Sequence, residues 1–289
     1  MTADSLNNAS PATSQAGLRV FISADIEGVA GVVNAAQIFP GEIEWAYFRK
    51  LMTAEVNAAI EGALAAGATQ ITVADSHGNG LSILPDELHP RARLIRSWPR
   101  PLLMMEGIES GFDAALLLGY HASVGSPNAV RAHSLSSLRF YDVKLNGIHA
   151  SEAMLSAALA GHFEVPVVLI SGDGQTIQEA QRTVDATITG VAVKRSIGYH
   201  CADSVAPQVA RQMIREATQT ALNQRHSHRP FKLSAPMRLE LSFKSQLNAE
   251  VFALLPQIER VDGATIAFTG QDIIAITKFL SFVLHYDTT

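Results

Sequence analysis

From Leu18 onward the chain alternates short apolar runs with longer segments in which apolar residues recur at every third or fourth position. The runs at 18–23 (LRVFIS), 70–74 (QITVA), 114–118 (AALLL), 140–145 (FYDVKL) and 165–170 (VPVVLI) have the length and composition of strands. Between Glu42 and Gly67 the residues Trp45, Phe48, Met52, Val56, Ala59, Ile60 and Ala63 make one face of an amphipathic helix, and Gly67 stands where a left-handed terminator belongs. Residues 151–160 predict a further helix. Such alternation of strand, loop and helix predicts an α/β fold on a mostly parallel sheet with flanking helices. Beyond about residue 190 come VAVKR, a long helix from Ala202 to about Gln224 and a polar break, HSHRP. A strand at 237–243, a helix at 245–255, a strand at 264–269 and a helix from Gln271 to about Leu284 follow. The pattern divides the chain into a small polar tail (1–16), a larger α/β domain (17–189) and a smaller C-terminal α/β domain (190–289).

Polar residues collect where the apolar runs end. Four loops carry Asp25 and Glu27 (DIE), Asp75 and His77 (DSH), His121 (GYH) and Asp173 (SGD). In open parallel sheets, ligands bind beyond the carboxyl ends of the strands, so these loops would share one rim. Asp25 and Glu27, two apart in an extended segment, face the same way. Two adjacent carboxylates repel unless a cation lies between them. With His77 and His121 they make a mixed oxygen and nitrogen set suited to zinc, and also compatible with manganese, iron or nickel. Taken singly each residue has a plainer role: Asp25, Asp75 and Asp173 could each cap a helix. His149, close to Glu152, belongs to the same neighbourhood, whereas His89, His162, His200, His226, His228 and His285 read as structural or surface residues.

Composition narrows the classes. Lys and Arg total 22 against 27 Asp and Glu, a net charge of −5, which gives no electrostatic footprint for nucleic acid or an anionic membrane. Charged residues are 17%, below the ~25% of an average chain, which fits burial of surface in an oligomer. One cysteine, Cys201, excludes an intrachain disulfide and any CxxC site, and it reads as a small buried hydrophobe. No apolar run approaches the ~20 residues of a membrane span, and the leader has neither a basic start nor an apolar stretch. A cytoplasmic protein is the expectation. HExxH, the GxxxxGK[ST] loop, GxSxG and GxGxxG are all absent.

The run FISADIEGVAGV (21–32), ADSHGNG (74–80), GYHA (119–122), RAHS (131–134) and LNGIHASEAMLSAALAGHFEVPVVLISGD (145–173) resembles the zinc-dependent D-aminopeptidases of the dipeptide-transport-operon type. The resemblance spans roughly residues 18–175. It implies that Asp25, Glu27, His77, His121 and Glu152 hold two zinc ions per subunit and that His133 is the catalytic side chain. Asp75 becomes a turn residue supporting His77, with Asp173 doing similar work at the pocket edge. Implied too are a two-domain α/β fold with its catalytic centre in 17–189, and a decamer of two stacked five-membered rings. The implied reaction is hydrolysis of short peptides with D-residues at a free amino terminus, such as D-Ala-D-Ala, by a water activated between two metals, with Asp25 or Glu27 bridging. Two other readings stay open: hydrolysis of other small amides, including L- or β-aminoacyl compounds, and a non-catalytic protein whose metal only folds its loops.

Overall fold

The computed structural model describes residues 17–286, so the segment read as a tail (1–16) lies outside the described residues. The chain runs β1 (Leu18–Ala24), α1 (Trp45–Ala65), β2 (Ala68–Asp75), β3 (Ala92–Ile95), β4 (Ala114–Tyr120), β5 (Phe140–Leu145) and β6 (Ile148–His149). Then follow α2 (Glu152–His162), β7 (Val167–Asp173), α3 (Gly174–Thr183), β8 (Thr189–Gly198), β9 (Cys201–Ser204) and α4 (Pro207–Asn223). The last part holds β10 (Met237–Phe243), α5 (Gln246–Phe252), β11 (Ile258–Arg260), β12 (Thr265–Gly270) and α6 (Ile273–His285).

Two sheets form. The first has the order β3-β2-β1-β4-β7-β8-β9 and is parallel except where β9 turns back on β8. The second, β11-β12-β10-β5-β6, is antiparallel. Sheet membership does not follow chain order: β5 and β6 join the second sheet, while β8, β9 and α4 complete the first. The fold is α/β, with a mostly parallel sheet flanked by helices and a second sheet beside it.

Helices cover both faces of the first sheet, so its central strands β1, β4 and β7 are buried along nearly their whole length. Val20, Ile22 and Ala24 of β1 pack towards α1 and α4, with Met52, Val56, Ile60, Ile214 and Leu222. Phe21 of the same strand turns to the opposite core, shared with α2, α6 and the second sheet. Helix α2 lies inside that core and is buried along its length as far as Gly161. Helix α1 ends as its sequence predicts, with Gly67 at φ 90° just past the cap.

Two expectations are corrected. The helix placed at 202–224 begins only at Pro207, because the residue before a proline is pushed out of the helical region; Cys201–Ser204 instead pair antiparallel with β8. Cys201 is exposed rather than buried, since it stands at the turn of that hairpin. Among the described residues no helix is long and apolar enough to cross a membrane.

Candidate metal centre

Strands β2, β1, β4 and β7 are neighbours in the sheet and run in one direction, so the loops after them share its carboxyl rim. The order of crossovers reverses beside β1 and β4, the position where open α/β sheets leave a crevice. Asp25 and Glu27 follow β1, His77 follows β2 and His121 follows β4. Glu152 is the first residue of α2, behind Ser151, whose side chain accepts the Met154 N–H at 3.1 Å.

Packing holds these loops at backbone contact. Gly28 N donates to the Gly119 carbonyl at 2.7 Å, and a Cβ on Gly28 would stand 2.1 Å from the Tyr120 carbonyl oxygen. Only glycine lets the two loops approach so closely. Asp75 accepts the Ile83 N–H at 2.6 Å and so closes the loop that bears His77, whose Nδ1 lies 3.4 Å from Ser82 Oγ. Asp173 caps α3 through the Thr176 N–H and with its other oxygen accepts the Val130 N–H, both at 2.8 Å. Glu179, buried on α3, accepts the Ser123 N–H at 2.8 Å as well as the Ser123 hydroxyl.

Six side chains converge. His77 Nε2 lies 3.4 Å from Glu27 Oε1, and His121 Nε2 lies 3.5 Å from Asp25 Oδ2 and 3.1 Å from Glu152 Oε1. His133 Nε2 faces Glu27 Oε1 at 3.8 Å and Glu152 Oε1 at 3.9 Å. The His121 and His133 Nδ1 atoms donate to carbonyls, of Ala122 at 3.0 Å and of Arg131 at 2.7 Å, which aims both Nε2 atoms into the cluster. Asp25, Glu27, His77, His121 and Glu152 are all buried. His149 is elsewhere: half exposed, it pairs with Asp142 at 2.8 Å.

So many ionisable groups cost free energy out of water, several kcal/mol for each ion left uncompensated. The cluster meets that cost by protonation. Burial, with Glu27 and Glu152 alongside, pushes the Asp25 carboxyl well up. Burial pushes Glu27 the same way, but His77, His121 and His133 overcome it and hold Glu27 well below the usual carboxylate range. Burial would also discharge His121, yet Glu152 raises its pKa to about 9. Burial and then the His121 charge depress His133 to about 4.

The donor set fits divalent metal. Glu27 Oε2 and His121 Nε2 are buried without a hydrogen-bond partner, although both groups stand among carboxylates and imidazoles. Two sets of three ligand atoms, Asp25–Glu27–His77 and Asp25–His121–Glu152, each lie within 4.8 Å of one another, and so does Glu27–His121–His133. A cation here would satisfy the stranded atoms and take over the balancing role of the protons.

The cluster forms the floor of a cavity of about 600 Å3. Its walls include Phe39, Trp98, Leu103, Leu135 and Leu138. Leu284 and His285, at the end of α6, complete them, so the C-terminal segment contributes directly to the cavity. The sequence pattern gives His285 a structural or surface role, because nothing local links the chain end to segments so far back along the chain. Lys194 and Glu55, which grip the loop after β1, also escaped the sequence reading.

Comparison with known proteins places the chain in a family. A family described as D-aminopeptidase, peptidase M55, matches residues 18–282. A D-aminopeptidase of Bacillus subtilis (strain 168) is 30% identical over 260 residues, covering 89% of this chain and 93% of that protein. The solved structure of the Zn-dependent D-aminopeptidase DppA from Bacillus subtilis, described as a self-compartmentalizing protease, superimposes with a TM-score of 0.87 at 28% identity, over 93% of this chain and 99% of that one. The chain belongs to the peptidase M55 D-aminopeptidase family.

Proposed function

We propose that this chain cleaves the first residue from short peptides that begin with a D-amino acid, such as D-Ala-D-Ala, using two zinc ions per subunit. The observation that carries the reading is that the buried carboxylates and imidazoles fall into overlapping three-residue ligand groups, enough for more than one ion. Asp25, Glu27 and His77 would hold one ion, and Asp25, His121 and Glu152 the other, with the Asp25 carboxylate between them. Buried oxygen and imidazole ligands of this kind suit zinc. When bound, paired zinc ions act as Lewis acids, polarising the scissile carbonyl and lowering the pKa of a water.

His133, although it also lies within ligand distance of Glu27 and His121, is assigned to proton transfer. Its Nδ1–H is committed to the Arg131 carbonyl, its Nε2 faces the cluster, and it stands farther from the carboxylates than His121 does from Glu152. A neutral imidazole in that position can accept a proton and pass it to the departing amine. Apolar walls of Phe39, Trp98, Leu103, Leu135 and Leu138 suit small apolar side chains of a substrate. A cavity of about 600 Å3 has the scale of small-molecule pockets and suits a short peptide.

The same reading makes the chain a cytoplasmic decamer of two five-membered rings. The assembly is supported by the self-compartmentalizing relative.

The test is amino-acid release from D-Ala-D-Ala and L-Ala-L-Ala by zinc-loaded protein, beside a chelated control. Zinc-dependent release from the D-dipeptide alone is the expected result. Two bound metals with neither dipeptide cleaved would move the substrate to another small amide.

A further inference from the structure

The loop that carries Asp25 and Glu27 extends well past the ligands. From the end of β1 it passes over β4, where Gly28 N meets the Gly119 carbonyl, and reaches the β8–β9 hairpin, where Gly31 N donates to Ser204 Oγ at 3.0 Å. Lys194 of β8 reaches into this loop with its side chain buried, only 3% of the residue exposed. Its ammonium donates to three carbonyls of one six-residue stretch: Glu27 at 2.5 Å, Val29 at 2.9 Å and Val32 at 2.7 Å. An ammonium has three protons, and each finds a different acceptor here. Between those carbonyls the Ala30 N–H points the other way, to Glu55 Oε1 of α1 at 3.0 Å.

Three carbonyl oxygens turned towards one buried point repel one another without a cation among them; Val29 O also accepts the Val32 N–H at 3.1 Å, whereas Lys194 is the partner of the Glu27 and Val32 carbonyls. Lys194 thus joins the backbone contacts to β4 and the Glu55 and Ser204 side chains in holding the loop, and it alone gathers these three carbonyls to one point. Lys194 is not among the residues that line the cavity, so it meets neither substrate nor the reacting atoms.

We propose that Lys194 is a positioning residue of the metal centre: it ties the Glu27, Val29 and Val32 carbonyls to one point and thereby fixes how the Asp25 and Glu27 side chains are presented. The inference rests on the reading of those two carboxylates as metal ligands. Partners that orient ligands typically change metal affinity 10- to 100-fold when removed.

The test is Lys194→Met, which keeps the length of the side chain and removes the charge. Three quantities are read: zinc affinity by competition with a chelator, the visible absorption of the cobalt-substituted protein, and Tm. A zinc affinity at least tenfold weaker, with a changed cobalt spectrum at temperatures where the variant is fully folded, is the expected result. In D-peptide cleavage kcat falls while KM holds. A residue that only stabilises the fold would lower Tm and leave both metal readouts alone, and that outcome overturns the proposal. Should Lys194→Met not fold, the shorter polar Lys194→Gln is measured with the same two outcomes. Wild-type protein that takes up no zinc overturns the metal reading and this inference together. Normal zinc uptake without D-peptide cleavage overturns only the substrate, and the zinc affinity and cobalt spectrum of Lys194→Met still decide the role of Lys194.

Discussion

The rings of His121 and His133 lie stacked, with centroids 4.0 Å apart and planes 9° from parallel. Two imidazolium ions cannot share that arrangement out of water, so a charge on one ring discharges the other. Glu152 at 3.1 Å gives the charge to His121, and His133 stays neutral. The stack thus divides one chemical type into two roles. His121 sits against carboxylates that compete for a cation, while His133 keeps a free Nε2 at the edge of the same cluster.

Replacing His133 by Ala should lower turnover by ~10²-fold or more, the usual weight of a positioned acid–base group, with metal content unchanged. Steady-state kinetics and metal analysis on the same preparation check this. Turnover within a few-fold of wild type would remove His133 from the reaction.

The bridging place proposed for Asp25 predicts an unequal response among ligand variants. Asp25→Asn weakens both metal positions, whereas His77→Ala weakens only the group it forms with Asp25 and Glu27. Metal analysis after dialysis should find His77→Ala retaining about half of the wild-type content and Asp25→Asn almost none. Equal losses in the two variants would argue against Asp25 as the bridge.

Metal uptake should release protons and strengthen as pH rises. His121, raised to about 9, carries a proton at neutral pH before metal arrives, and burial pushes Asp25 towards its protonated form as well. Ligation requires both to be deprotonated. Apparent zinc affinity should therefore climb from pH 6 towards about 9 and level off above it. Calorimetry in buffers of different ionisation enthalpy counts the protons released; a pH-independent affinity would contradict the electrostatic picture.

Gly28→Ala should cost ~1–3 kcal/mol of stability, the range for forcing extra volume into a packed site. The added Cβ would meet the Tyr120 carbonyl oxygen at 2.1 Å and the Gly119 carbonyl carbon at 2.4 Å, both backbone atoms with little freedom to move. Gly174→Ala, where nothing lies within 4 Å of the new Cβ, is the control and should leave stability unchanged or slightly higher. Urea denaturation of the metal-free proteins compares the two.

Much of this architecture is legible along the chain, for a local reason. Run length separates strands such as 114–118 from the 3.6-residue periodicity of α1, and Gly67 marks where that helix must stop. Asp25, Glu27, His77 and His121 could be singled out because parallel strands deliver the residues after them to one rim, so position relative to an apolar run already carries spatial meaning. Glu152 and His133 lacked such a marker and were picked out by resemblance alone.

Other features exist only once distant segments meet. Strand β5 pairs with β10 almost a hundred residues later, and no local pattern distinguishes it from a strand of the first sheet. The Cys201–Ser204 segment looked like the start of α4 until β8 offered it hydrogen bonds. The sharing of Asp25 between two ligand groups depends on distances between loops, not on spacing within one. Lys194 is the plainest case. A lysine in VAVKR discloses nothing, because the three carbonyls that give it meaning lie more than 160 residues earlier, and a backbone carbonyl has no signature in sequence. Side-chain chemistry and local periodicity are written along the chain, whereas the pairing of backbone groups across long separations is settled by packing.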